Sequence, residues 1–142
     1  MLRLLLVALL LTLTACSAEP DSRDPLQAWQ PDLQGPIREL ESLLQTLNQQ
    51  ADINRVSSQL AVLYDASLYQ LYLRKRARMT VEERDLFDRD QRAFLVRRER
   101  VSREAGEPFR SGSIAPFIRN QAFIDETRAR LDEVRQIRVG RS

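Results

Sequence analysis

The distribution of glycine and proline constrains the fold of this chain more than any other feature of the sequence. Neither residue occurs at positions 37–105 or 117–139, whereas both cluster at positions 20–36 and 106–116. Glycine and proline are the residues that most often interrupt regular secondary structure. The two uninterrupted stretches are therefore expected to form long elements, joined by a turn-rich connection at positions 106–116.

Apolar residues in these stretches recur at the three- and four-residue spacing of one helical face. The faces are formed by Ile37, Leu40, Leu43, Leu44 and Leu47; by Ile53, Val56, Leu60, Leu63, Tyr64, Leu68 and Leu71; by Phe87, Phe94, Leu95 and Val101; and by Phe117, Ile124, Thr127, Leu131 and Val134. No alternating strand pattern and no Asn-Gly or Asp-Gly hairpin turn occurs in the sequence. The sequence therefore predicts an all-α fold, a small bundle of three to four helices. A single helix over residues 37–78 would be about 63 Å long, too long for a compact domain of this size, so two helices are favoured there.

Local signals predict where these helices begin. Pro36 suits the first position of a helix, Asp52 suits an N-cap, and the last helix should begin near Pro116. Thr80 and Glu83 have the spacing of a capping box, in which each side chain binds the backbone N–H of the other residue.

The start of the chain has the pattern of an export signal. Arg3 supplies one positive charge, and the apolar run that follows at 4–11 is shorter than the roughly 20 residues that span a bilayer. This pattern is typical of a secretory signal. Leu13, Thr14 and Ala15 then precede the single cysteine, Cys16, and this segment resembles the lipobox of bacterial lipoproteins. An ordinary signal peptide beside an unrelated cysteine is the less favoured alternative.

The lipobox resemblance implies that the nucleophilic thiolate of Cys16 receives diacylglycerol and that the signal is cleaved just before it. Several acyl chains would give stable anchoring, because one chain alone binds a membrane only marginally. The expected domains are a signal peptide at 1–15, a flexible lipidated tether at 16–35 and a helical domain at 36–139. Ser17 stands where an Asp would favour the inner membrane, so we expect the outer membrane, facing the periplasm.

Charge and residue content exclude several classes of function. The formal net charge is only +2 and both signs alternate along the chain, without a basic block interleaved with aromatic residues, so nucleic acid is not an expected partner. The chain has no histidine and one cysteine, which removes histidine-based triads and most zinc sites. Its carboxylates lie on helix faces of mixed charge, where solvation is their usual role. We therefore expect neither an enzyme nor a protein that holds a metal or cofactor.

Two segments of the predicted helices resemble sequence motifs of a known protein family. Residues 90–99 follow Gln-Arg-Ala-Trp-Leu, then two residues, Arg-Asp, two more and Cys, with Phe94 in place of Trp and Glu99 in place of Asp. Upstream, residues 65–72 follow Asp-x-x-Leu-Asn-x-x-Tyr, with Tyr69 in place of Asn.

Two further segments follow in the same order. Ser111, Gly112 and Ser113 are similar to a Gly-Gly-Ser loop, and Thr127 with Arg130 to a Thr-x-x-Arg motif. Together the four segments, over roughly residues 55–135, resemble the LprI-type lysozyme-inhibitor domain, a family of small secreted or lipidated helical domains.

The resemblance also shows a departure. The two cysteines of the family would fall at Ser102 and Ala122, and both are missing here. In the family, the pair is expected to link the third helix to the fourth by a disulfide. Closing a loop of about 20 residues in this way stabilises a fold by roughly 3 kcal/mol. Its loss leaves open how stiff the loop at 103–121 is.

Charged residues of the matched motifs are expected to form partly buried ion pairs between helices, because arginine pairs bidentately with carboxylates. The candidates are Asp65, Arg92, Arg98, Glu99 and Arg130. Tyr64 and Tyr72 are expected to pack against the helices with their hydroxyls at the surface.

The candidate partner-binding segment is the loop at 106–116, with Arg110, Ser111, Gly112 and Ser113. The resemblance implies inhibition of a lysozyme-type muramidase, whose two carboxylates lie in an open cleft. Arginine and serine donors in an exposed loop suit those acids, although a plain helix connector is an equal reading. The sequence thus predicts a membrane-anchored, non-enzymatic envelope lipoprotein that inhibits such an enzyme. The alternative is a structural or adaptor lipoprotein that binds another envelope protein through a helix face.

Overall fold

Helices account for 82% of the part of the chain that the structure describes, residues 30–138 of a computed structural model. They are α1 (Gln34–Leu44), α2 (Gln50–Arg76), α3 (Val81–Gly106) and α4 (Ala115–Gln136), with a short 3-10 helix at Glu107–Phe109. No strand occurs in this part of the chain, and the predicted all-α bundle is confirmed. The predicted signal peptide, Cys16 and most of the predicted tether lie outside the described residues.

The break between α1 and α2 confirms two helices where the sequence left one or two open. Two boundary predictions were wrong. Helix α1 begins at Gln34, so Pro36 takes its third position, where the missing N–H costs no hydrogen bond because the first is donated by Ile37. Helix α2 begins at Gln50, so Asp52 lies in its first turn instead of capping it. An acidic residue there still interacts favourably with the helix dipole.

The capping box at the start of α3 is confirmed. The backbone N–H of Glu83 donates to Thr80 Oγ1 at 3.3 Å, and the backbone N–H of Thr80 donates to Glu83 Oε2 at 2.9 Å. The last helix begins with Pro116 in its first turn, one residue after its start at Ala115.

Helix α4 organises the packing of the compact unit that begins at Asp32. It lies closely against both α2 and α3, and α1 packs on α2, whereas the backbones of α2 and α3 make few close approaches to each other. The shared core contains Ile37, Leu60, Tyr64, Leu68, Met79, Phe87, Phe94, Ile124, Leu131 and Val134. Leu43 and Leu95, which the periodicity placed on buried faces, are exposed. Leu95 is exposed because α2 does not approach α3 closely enough to cover it.

Candidate functional site

Arg98 lies almost entirely inside the bundle and joins three helices. Its side chain is 8% exposed, and its Nη1 donates to Asp65 Oδ1 of α2 at 2.7 Å and to Thr127 Oγ1 of α4 at 3.1 Å. The guanidinium lies 3.9 Å from the ring centroid of Phe123, a cation–π distance. A charge buried in this way is tolerated because it is both paired and hydrogen-bonded.

Arg130 has a similar role one turn along the interface. Its Nη2 donates to Asp90 at 2.6 Å and its Nε to Gln91 Oε1 at 3.0 Å, so that it connects α4 to α3. A third bond, from Nη1 to Glu133, stays within α4. The Phe94 ring lies between the two buried arginines, and each guanidinium carbon is 5.4 Å from its centroid.

The other two residues of the expected ion-pair set lie apart from this network. Arg92 and Glu99 are exposed on α3, and neither forms an ion pair with a residue in the range 30–138. Arg92 lines the groove between α2 and α3 instead.

A second polar cluster, which the sequence did not reveal, bridges α2 and α3 near their connection. Asp88 accepts hydrogen bonds from the Tyr72 hydroxyl and from Arg76 Nε, the latter at 2.9 Å. The bonds from Arg76, followed by that from Tyr72, lower the pKa of Asp88 to about 2. Burial, reinforced by the bond to Asp88, raises the pKa of Tyr72. Both titrations therefore lie far from neutral pH.

A third cluster fixes α1. The Tyr64 hydroxyl donates to Glu41 at 2.6 Å and accepts from Arg128 Nε at 2.7 Å, and Arg128 also pairs with Glu41. Burial, then the bond to Glu41, raises the pKa of Tyr64. Tyr64 is buried and Tyr72 half-buried, as expected of side chains that pack against the helices. Both hydroxyls donate to carboxylates of a neighbouring helix, and only the helix register, which periodicity does not give, brings those groups together.

The loop between α3 and α4 is shorter and more ordered than the sequence indicated. Helix α3 continues to Gly106, and residues 107–114 are all exposed. Backbone hydrogen bonds from Arg110 to Glu107, from Gly112 to Phe109 and from Ala115 to Gly112 hold successive turns. These turns fix the loop without a disulfide.

One further contact ties this loop to the rest of the bundle. Asn54 Nδ2, in the first turns of α2, donates to the carbonyl of Ser113 at 2.8 Å. Of the four candidate partner-binding residues, Arg110 carries the only charge, and it forms no ion pair with any residue that the structure describes. Phe109 and Ile114 are exposed apolar side chains on either side of it.

At Ser102, one of the two positions matched to the missing cysteines, α3 still contacts α4 directly. Ser102 is buried and its hydroxyl donates to the Arg119 carbonyl of α4 at 2.9 Å. One turn on, a Cβ added to Gly106 would lie 2.4 Å from Arg119 Cγ. The small residues Ser102 and Gly106 therefore allow the close approach of the two helices.

Residues 30–138 contain no group of three or more His, Cys, Asp or Glu side chains placed to hold a metal ion. None of the four helices is long and apolar enough to cross a membrane.

Comparison with known proteins gives one match. The family model described as lysozyme inhibitor LprI matches residues 44–134, which is more than half of the chain. No curated protein and no solved structure matches the chain. The matched range contains α2, α3, the loop that follows it and most of α4.

Proposed function

The chain belongs to the LprI lysozyme-inhibitor family, and from this premise we propose that it inhibits a lysozyme-type muramidase through the loop at 107–114. The observation that carries the proposal is Arg110, an exposed cation on a hydrogen-bonded loop, without a carboxylate partner among the described residues. The family description concerns inhibition and names no catalytic activity. The proposal is accordingly a binding function.

The chemistry of the loop suits a lysozyme cleft. Lysozymes use two carboxyl groups that flank the scissile bond in an open groove, and at least one of them is ionised. The planar guanidinium of Arg110 can donate two parallel hydrogen bonds to such a carboxylate. Ser111 and Ser113 add hydroxyl donors beside it.

Two properties of the loop favour tight binding. Because its turns are already formed in the free protein, little conformational entropy is lost when it binds. Phe109 and Ile114 would lose exposed apolar surface on insertion, and buried aromatic and arginine side chains dominate the energy of protein interfaces.

An enzyme assay tests this proposal. The exported chain, with Cys16→Ser to leave it unlipidated, should slow cell-wall hydrolysis by a lysozyme-type muramidase that uses two carboxyl groups. Arg110→Ala should weaken inhibition at least tenfold, as expected for loss of a charge-assisted contact of about 1.4 kcal/mol or more. The matched control is Arg38→Ala, which removes another exposed arginine, from α1.

The two parts of the proposal fail separately. Absence of inhibition by the unmodified domain at high concentration would remove the inhibitor function. Inhibition that survives Arg110→Ala and Ser111→Ala unchanged would keep the function and move it away from the loop.

A specific observation also favours an adaptor role. Helix α3 exposes Val81, Leu86 and Val96, apolar side chains that a partner helix would cover. A pull-down from envelope extract that is abolished by Val96→Glu, together with a negative lysozyme assay, would favour this adaptor.

We further propose that Cys16 anchors the protein by lipid in the envelope, in the outer membrane facing the periplasm. The support is the sequence alone, the small residues before Cys16 and Ser17 after it. Labelled palmitate should enter the protein and should not enter a Cys16→Ser variant. Fractionation of the membranes would then place the anchor.

A further inference from the structure

The groove between α2 and α3 is closed at both ends by side chains. At one end Arg98 bridges to Asp65 at 2.7 Å. At the other end Asp88 is held by Tyr72 and Arg76. The two bridges are about 15 Å apart along α3, given 1.5 Å per residue. The groove between the two bridges has a volume of about 390 Å³, within the range of small-molecule sites.

Between the bridges, the groove exposes one aromatic ring and two polar side chains that can form further hydrogen bonds. Tyr69 stands on the α2 side with 61% of its surface exposed. Arg92 lies opposite, on α3, without an ion-pair partner among residues 30–138. The Asp65 side chain is 52% exposed and uses only Oδ1 for its bond to Arg98, which leaves Oδ2 as a free acceptor.

We propose that this groove binds a short saccharide. A pyranose ring would pack its apolar face on Tyr69, as sugars do on exposed aromatic rings that combine an apolar body with a polar rim. Its hydroxyls would donate to Asp65 Oδ2 and accept from Arg92, because a carboxylate only accepts and a guanidinium only donates. A hydroxyl does both, so one ligand satisfies the two groups together.

Other ligand classes fit less well. A partner helix is about 10 Å across and continues beyond its contact, whereas the side-chain bridges close this groove after about 15 Å. An acidic peptide would bring its carboxylates towards Asp65 on the α2 side and Asp88 on the α3 side of the groove. A purely apolar ligand would bury Asp65 Oδ2 and the Arg92 guanidinium without hydrogen-bond partners, which is unfavourable.

Amide NMR of the exported, unlipidated Cys16→Ser chain tests the proposal with two probes. Chitotriose is neutral, and N-acetylmuramic acid carries a carboxylate. Either should bind with a Kd of about 1 mM or below and shift amides within 65–72 and 88–98. Stronger binding of N-acetylmuramic acid would support Arg92 as the group that meets the anion.

Variants of the groove give the sharper result. Tyr69→Leu keeps an apolar side chain but removes the ring, and it should weaken binding at least tenfold. Arg92→Gln should weaken it about fivefold. Arg89→Gln is the matched control, since Arg89 is an exposed α3 arginine outside the groove, and it should bind like the parent. Thermal melts verify that each variant folds.

Three results would overturn the inference. They are no saturable shift with either sugar up to about 10 mM, shifts that fall outside the two segments, and binding of a glutamate-rich peptide in the groove without saccharide binding. The lysozyme assay is independent, because Tyr69→Leu leaves the loop at 107–114 intact and should inhibit like the parent protein.

Discussion

Helix α3 has two neighbours and packs against them in opposite ways. Against α4 it lies close, with Ser102 donating to the Arg119 carbonyl and Gly106 leaving no room for a Cβ. Its backbone lies further from α2, and long side chains cross the gap to carboxylates: Arg98 of α3 reaches Asp65, and Tyr72 of α2 reaches Asp88. The same helix therefore has one interface built by small residues and one built by polar bridges.

The connections do not explain this difference. The turn between α2 and α3 at 77–80 is shorter than the loop between α3 and α4 at 107–114, yet the shorter turn joins the helices that stand further apart. Side-chain size and charge decide the spacing. The interface of α3 with α2, here called the open interface, contains the groove. The interface of α3 with α4, here called the close interface, ends in the exposed loop. Both proposed sites thus follow from the asymmetry of α3.

Removing the carboxylate that pairs with the buried Arg98 should have the largest effect on the free energy of unfolding. Asp65→Ala leaves Arg98 buried without a counter-charge, and loss of one partner of such a pair typically costs about 3–5 kcal/mol. Because Asp65 is half-exposed, we expect the lower end, about 3 kcal/mol, in urea unfolding. The control Asp132→Ala breaks an exposed pair with Arg135 and should cost under about 1 kcal/mol. Equal effects of the two substitutions would contradict a dependence of the open interface on its bridge.

Between α3 and α4 we expect a smaller change in the free energy of unfolding. The sign of this change should depend on whether Arg119 is present. Gly106→Ala places a Cβ against Arg119 Cγ and should cost about 1–2 kcal/mol through overpacking. In an Arg119→Ala background that obstacle is gone, and the higher helix propensity of alanine should stabilise by up to about 1 kcal/mol. Urea unfolding of the parent, the two single variants and the double variant measures the coupling between Gly106 and Arg119. If Gly106→Ala had the same effect in both backgrounds, steric contact would not set the spacing of α3 and α4.

Much of the fold could be predicted from sequence because it depends on local signals. The uninterrupted stretches, the apolar spacing and the pair Thr80 and Glu83 each act within a few residues, and the capping box forms as the spacing indicated. The start of α2 was misplaced because Asp52, an acceptable N-cap, is equally acceptable in the first turn.

The sites were less predictable because they depend on helix register and separation. Sequence selected Arg98 and Asp65 from motifs, but which of the five charged candidates meet each other depends on how the helices align. Asp88 carried no motif signal at all, and its partners come from α2. Leu95 was assigned to the core because periodicity shows a helix face and does not show whether a neighbour covers it.

The smallest expected effect concerns Asp88 between α2 and α3. Its contribution to the stability of the fold does not change near neutral pH and is lost only in acid. Its pKa is about 2 in the folded protein against a usual 3.8, so the carboxylate stabilises the fold fully above about pH 4, and this contribution is lost as the pH falls towards 2. Carboxyl-carbon NMR should therefore show Asp88 titrating near 2. Tyr72→Phe removes one donor while keeping the ring that stacks on Phe87, and it should raise that pKa without closing the gap. Titration of Asp88 near 3.8 in the unsubstituted protein would mean that Tyr72 and Arg76 do not hold α2 and α3 together in solution, and that the groove lacks one of its closed ends.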